Sequence, residues 1–279
     1  MKASFSETSE NRQTTIQAIH TALDSGVRFF DTADIYAPSW NTFGHNEQIL
    51  AEAIRSYSGD KTGLILATKS GITRGPGETW GRNASLDYLL RATEASAGRL
   101  QVSELDLWQH HRLDPNLTFH EQVENLALLR QRGIFKRLGV SNYNAGQLRK
   151  AVEIAGPIYS VQNQLNISYR QQMDVLAVCE ELDIIYLPWS PMKGAGESEA
   201  AKKLAEETNH SPYAVAVSWL KSLSSKVLVM PGVTRAESVQ DAIKGIHLEL
   251  RADQLQQLNQ SLPESLPLDR ELISDQPKN

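Results

Sequence analysis

Short apolar runs that alternate with amphipathic helical segments along the whole chain constrain its fold more than any other feature. The runs fall at 27–31, 64–69, 105–111, 137–142, 159–162, 184–190 and 227–231, each bounded by polar or Gly/Pro residues. Their nearly continuous apolar character predicts strands buried on both faces. Between them the spacing turns helical. Over 85–100, Leu86, Leu89, Leu90, Thr93, Ala97 and Leu100 form one stripe at i, i+3, i+4, i+7. Similar stripes cover 14–25, 47–58, 119–132 and 211–223, and capping-box pairs at Asn144/Gln147 and Thr234/Glu237 predict two helix starts. Strict alternation of this kind points to a parallel sheet covered by helices.

Two parallel architectures compete. A doubly wound sheet needs a Gly-rich turn after its first strand and an acid about 20 residues on, and neither is present. Polar residues instead end many successive strands, as in a (β/α) barrel whose βα loops build the active site. At 279 residues with 41% hydrophobic content, the chain suits one barrel domain spanning 1–279. A net charge of −5 without a Lys/Arg cluster argues against nucleic-acid or membrane partners and for small molecules. The single cysteine, Cys179, excludes an intrachain disulfide and a multi-Cys zinc site, and no metal is expected. The polar start and the lack of a long apolar run lead to the expectation of a soluble, cytoplasmic protein.

The ionisable residues at the strand ends are the candidates for chemistry. Asp31 ends the first run with Tyr36 in the loop behind it, Lys69 ends the second, and His111 ends the third. A buried lysine beside an aspartate stays charged. Its ammonium stabilises a phenolate and draws a tyrosine pKa down from about 10 toward the range of a general acid. A histidine on the same carbonyl oxygen would orient it and stabilise a developing alkoxide. An Asp and a Lys at strand ends also make a structural ion pair, and the residues alone weigh these two readings about equally.

The segment Phe29-Phe30-Asp31-Thr32-Ala33-Asp34-Ile35-Tyr36, followed by Gly44-His45-Asn46-Glu47, resembles the first signature of the aldo-keto reductases. Ala67-Thr68-Lys69-Ser70 is similar to the strand carrying that family's lysine, and the stretch from Asp106 to Asp114 is similar to the strand carrying its histidine. The resemblance implies a (β/α)8 TIM-type barrel that reduces an aldehyde or ketone with NADPH, NADH being possible. It makes Tyr36 the proton donor, Lys69 and Asp31 its tuners, and His111 rather than His110 the residue that orients substrate. On the cofactor side, Ser141, Asn142 and Gln162 match the set that holds the nicotinamide carboxamide. Trp189 stands where an aromatic stacks on the nicotinamide, with Ser190 and Pro191 following toward the pyrophosphate. Gly232, Thr234 and Arg235 lead into a helix N-terminus suited to phosphate; Arg235 would meet a 2′-phosphate, and Asp241 matches an acid further along that helix.

The match has departures. Ser238 replaces a basic residue of that last helix, and Ala242 an asparagine. The family's N-terminal hairpin and first strand have no counterpart ahead of the first helix, so seven strands are expected where a closed barrel has eight. This motivates an alternative, a non-catalytic nucleotide sensor or partner-binding module. Trp40, Phe43 and Trp80, in the loops after Tyr36 and Lys69, suggest an apolar or aromatic carbonyl. The short loop at 191–196, with Lys193, suggests weak closure over the pyrophosphate.

Overall fold

A computed structural model describes residues 9–232 and 234–261; the polar start at 1–7 and the tail beyond 261 lie outside the described residues. Helix α1 (Ser9–Asp24) leads into β1 (Phe29–Asp31), α2 (His45–Ser56) and β2 (Ile65–Ser70). The hairpin β3 (Ile72–Gly75) and β4 (Thr79–Arg82) follows, then α3 (Leu86–Leu100), β5 (Leu107–His110), α4 (Phe119–Arg130) and β6 (Leu138–Ser141). The alternation continues through α5 (Ala145–Ala155), β7 (Ser160–Gln164), α6 (Met173–Leu182) and β8 (Ile185–Trp189). Four helices close the described chain: α7 (Glu199–Thr208), α8 (Pro212–Leu223), α9 (Ala236–His247) and α10 (Ala252–Gln260).

Six strands form one parallel sheet in the order β1-β2-β5-β6-β7-β8. Helices cover the outer side of this sheet while side chains from neighbouring strands fill the inner one. Strands β5, β6 and β7 are buried at every position. Outside them the stripe of α3 delivers Leu89, Thr93, Ala97 and Leu100 to the core. Local signals fix several helix starts: Ser85 caps α3, and Thr118/Glu121 and Asn144/Gln147 form capping boxes on α4 and α5.

Three expectations need correction. The run at 227–231 is not a full strand; it touches the sheet at a single parallel bridge, Val227 to Tyr186, with the Leu228 N–H donating to the Tyr186 carbonyl at 3.0 Å. The Thr234/Glu237 box does not form, because α9 begins one residue later behind Arg235 and has no side-chain cap. The Gly/Pro-rich segment after Lys69 is not a plain loop but the antiparallel β3–β4 hairpin, turned over Pro76–Glu78. Arg74 of this hairpin donates to the Ala37 and Pro38 carbonyls, and Glu78 accepts from the Trp40 N–H, so the loops behind Tyr36 and Lys69 are tied together.

On the inner face one position leaves no room for a side chain. Gly139 lies in register with Gln109 and Ser160, and a Cβ there would sit 2.4 Å from Ser160 Oγ and 2.8 Å from Gln109 Cγ. Gly139→Ala is therefore expected to cost about 1–3 kcal/mol, a fall in melting temperature of roughly 2–10 °C. Thermal unfolding of the variant beside the wild type checks this.

Candidate active site

The carboxyl ends of β1, β2 and β5 converge on Lys69. Alternation along β2 points Lys69 inward and Thr68 outward. The Lys69 side chain has no exposure, and its Nζ donates to Asp31 Oδ2 at 2.5 Å and to the Thr32 carbonyl at 2.7 Å. It also hydrogen-bonds the Tyr36 side chain and lies 5.0 Å from that ring's centroid. Burial pulls the lysine's pKa down, but the charges and hydrogen bonds of Asp31 and Tyr36 outweigh it and leave the pKa raised. Lys69 is thus a fixed cation in a dry site.

His111 stands edge-on to Tyr36, ring centroids 6.0 Å apart at 82°. Burial, then the positive charges of Lys69 and Arg112, hold its pKa well below the ordinary value, and its Nδ1 has no hydrogen-bond partner. A neutral imidazole next to a fixed ammonium suits a group that hydrogen-bonds a carbonyl oxygen without charging it. His110 points the other way: its Nδ1 pairs with Tyr143 Oη at 2.9 Å, and burial pulls its pKa down to about 4.

The strands beyond supply polar side chains to the same floor. Gln162 Nε2 donates to Asp31 Oδ2 at 3.1 Å, and Gln109 Nε2 to Asp31 Oδ1 at 2.8 Å. Ser141 Oγ donates to the Gln162 carbonyl, and Asn142 Nδ2 to Ser141 Oγ and the His111 carbonyl. Trp189 Nε1 donates to Asn142 Oδ1 at 3.0 Å. Asn142 and Ser190, at the ends of β6 and β8, both hold left-handed backbone, at φ 63° and 51°. Strain of this kind gathers at functional sites.

One cavity of about 1020 Å³ joins these groups. Asp31, Tyr36, His111, Ser141, Asn142, Gln162, Trp189, Ser190, Pro191, Lys193 and Gly232 all reach its wall, while Lys69 sits behind Tyr36 and Asp31. Thr234, Arg235 and Asp241 do not reach it. Arg235 is exposed at the start of α9, and Asp241 accepts a hydrogen bond from Ser211 Oγ, the N-cap of α8, at 2.5 Å. The rest of the wall mixes apolar side chains of α1, β1, the segment at 228–231 and α9 with the polar Arg28, Asn46, Arg112 and His247.

Sequence reasoning missed Gln109, Thr32 and Asn163, whose Oδ1 accepts from the Asn142 N–H at 2.7 Å. Gln109 was findable, since it lies two residues before His111 and so shares its face of β5.

Comparisons with known proteins bear on the family and the fold. The Aldo/keto reductase family model matches residues 1–263. An uncharacterized oxidoreductase of Schizosaccharomyces pombe is 28% identical over 255 residues, covering 90% of this chain and 80% of its own length. A probable aldo-keto reductase of Glycine max is 25% identical, covering 89% and 79%. Among solved structures, a glycerol dehydrogenase from Gluconobacter oxydans superposes with a TM-score of 0.82 at 22% identity, over 95% of this chain and 90% of its own. A Klebsiella pneumoniae aldo-keto reductase solved in complex with NADPH gives 0.75 at 22% identity, over 93% and 89%. These structures share the (β/α)8 fold. No described helix is long and apolar enough to cross a membrane.

The two buried histidines generate a stability prediction. Above pH 6.5 both are neutral in folded and unfolded chains alike. Below it the unfolded chain takes up protons that the fold refuses, so stability falls by roughly 1 kcal/mol per pH unit for each histidine, for His110 down to about pH 4. His110→Gln, which keeps a partner for Tyr143 and does not titrate, should remove about one histidine's share of that slope. Denaturant titrations at pH 7, 6 and 5 read it; an unchanged slope would show that His110 is not held neutral by the fold.

Proposed function

The chain belongs to the aldo/keto reductase family, whose members are NAD(P)H-dependent oxidoreductases, and from that premise we propose that it reduces an aldehyde or ketone to an alcohol with Tyr36 as general acid. The observation that carries the reading is the buried Lys69 ammonium. It is bound at once to Asp31, Thr32 and Tyr36, with the neutral His111 ring against the same tyrosine. A purely structural ion pair needs neither the tyrosine nor the imidazole beside it. A binding-only sensor leaves the arrangement without a use.

The side chains at the cavity suit a nicotinamide dinucleotide. The Asn142 amide lies beside the Trp189 indole and the Gln162 amide on Asp31, the turn after Ser190 carries Lys193, and the first N–H groups of α9 have no side-chain cap. On this reading Ser141, Asn142 and Gln162 hold the carboxamide, Trp189 stacks on the ring, and Ser190, Pro191 and Gly232 border the phosphates. Thr234, Arg235 and Asp241 belong to the adenosine end. NADPH supplies the hydride when bound; Arg235, exposed and free of a capping role, favours it over NADH.

The chain's own residues then handle the proton. Tyr36 Oη donates to the carbonyl oxygen as the alkoxide develops, the Lys69 ammonium stabilises the phenolate left behind, and Asp31 keeps that ammonium in place. His111 hydrogen-bonds the same oxygen and fixes the face presented. The parallel order β1-β2-β5-β6-β7-β8 supports the further reading of a single barrel domain. The lone buried cysteine accords with a cytoplasmic setting.

Two measurements test this. Tyr36→Phe should lower kcat for a reactive aldehyde about 10²–10⁴-fold while leaving NADPH affinity, read by Trp189 fluorescence quenching, unchanged; wild-type turnover would sink the assignment. Arg235→Ala should weaken NADPH roughly tenfold, about 1.4 kcal/mol, and leave NADH unaffected. Equal losses for both nucleotides would remove Arg235 from 2′-phosphate recognition.

A further inference from the structure

A second polar layer lies behind the tyrosine and lysine, outside the sheet, with only Arg99 at its edge partly exposed. Its centre is Glu47 in the first turn of α2, with no exposed surface. Glu47 Oε1 accepts from Thr68 Oγ1 at 2.5 Å, and Oε2 accepts from Arg99 Nε of α3 at 2.5 Å. Arg99 is itself oriented by Ser96 Oγ at 3.0 Å. Thr68 is the residue next to Lys69 in β2, so the carboxylate grips the strand that carries the ammonium.

The same turn of α2 grips the loop that carries the tyrosine. The Asn46 N–H donates to the Tyr36 carbonyl at 3.0 Å, and the Gly44 N–H to the Asp34 carbonyl at 2.6 Å. Asn46 Oδ1 accepts from Thr32 Oγ1 at 2.8 Å, and the Thr32 carbonyl receives Lys69 Nζ. Gly44 has φ 77°, and a Cβ on it would fall 2.0 Å from Arg99 Nε, so the guanidinium is packed directly on the helix start. Two routes therefore run from Arg99 through Glu47, one to Lys69 and one to Tyr36.

We propose that Arg99 is a positioning residue for the proton donor, setting through Glu47 the separation of the Tyr36 hydroxyl from the Lys69 ammonium. Electrostatics make the guanidinium necessary. Glu47 is a buried carboxylate, and an unpaired one is costly enough to rearrange its surroundings. Neighbouring Asp34 competes less for the cation, since burial and the charge of Glu47 raise its pKa well above the ordinary value. An arginine fits where a lysine fits less well, because its planar fork engages Glu47 and Ser96 together. The inference rests on the proposed role of Tyr36.

The experiment compares steady-state kinetics of wild type, Arg99→Met, Arg99→Lys, Glu47→Gln and Tyr36→Phe, each per mole of folded protein measured by circular dichroism. Arg99→Met should lose about tenfold to a hundredfold in kcat, with little change in KM and no change in NADPH affinity. Arg99→Lys should recover much of that loss. Glu47→Gln removes the charge and keeps an acceptor for Arg99 only if its amide NH2 turns to donate to Thr68 Oγ1, so it weakens the grip and should fall between them; it also serves if Arg99→Met does not fold. Unchanged kcat in Arg99→Met, or in Glu47→Gln where the former does not fold, together with an inactive Tyr36→Phe, would overturn the inference alone. An active Tyr36→Phe would overturn it together with the reading it rests on.

Discussion

A lysine ammonium with no exposed surface is the constraint around which the inner face of this sheet is organised. Removing that charge from water costs several kcal/mol, recovered only by close opposite charge and complete hydrogen bonding. Asp31 supplies the charge, from a side chain only 14% exposed. Two strands further along therefore contribute amide donors to it, Gln109 from β5 and Gln162 from β7. Gly139 lies between them in β6 because Gln109 and Ser160 occupy the space a side chain would need. The burial of one cation thus bears on the residue type at Asp31, Gln109, Gly139 and Gln162, on strands β1, β5, β6 and β7.

What the sequence revealed and what it hid divide along the same physical line. The alternation of strands and helices is legible because burial imposes a period on each segment independently of its neighbours. Asp31, Lys69 and His111 stand out because each closes an apolar run, and Tyr36 because it follows the first of them in the loop behind Asp31. The Asn144/Gln147 box forms because it is local and nothing opposes it. Gln109 and Gly139 were hidden in their role because it depends on cross-strand register, which no single segment displays. The same holds for Arg99, 52 positions from its carboxylate partner. At 227–231 the apolar pattern is real, yet strand pairing is nonlocal and only Val227 meets Tyr186 in register. The Thr234/Glu237 signal failed at a helix start whose capping position is taken by Arg235.

The cofactor-side residues separate in a similar way. Those on strand ends, from Ser141 to Ser190, converge on the cavity because the sheet places them there. Those on α9 do not all follow. That helix turns Val239, Ala242 and Ile243 to the cavity and Asp241 to the start of α8. A helix packed on its apolar stripe has its polar positions assigned by what remains, and the Ser211–Asp241 bond is a tie between two helices before it is anything else. The backbone strain at Asn142 and Ser190, of order 1–3 kcal/mol each, is held by Asn163 Oδ1 on one side and by the Trp189–Asn142 bond across the sheet. Rigidity at this floor is built in by hydrogen bonds from neighbouring strands.

Lys69 and His111 show how one buried environment gives two basic groups opposite protonation states. Both lose hydration. The lysine recovers it from an anion and two oxygens and keeps its proton; the histidine has no anion near it, faces the lysine's charge, and gives its proton up. Separation of this sort is what assigns acid and base roles within a site. With one group fixed as a cation and the other fixed as neutral, the phenol between them faces an oxygen-binding corner whose charge does not change over the ordinary pH range. On the proposed reading, the barrier to proton delivery then depends on where Tyr36 is held rather than on what its neighbours titrate to. That makes the positioning of its loop by α2 a part of the chemistry and not only of the fold.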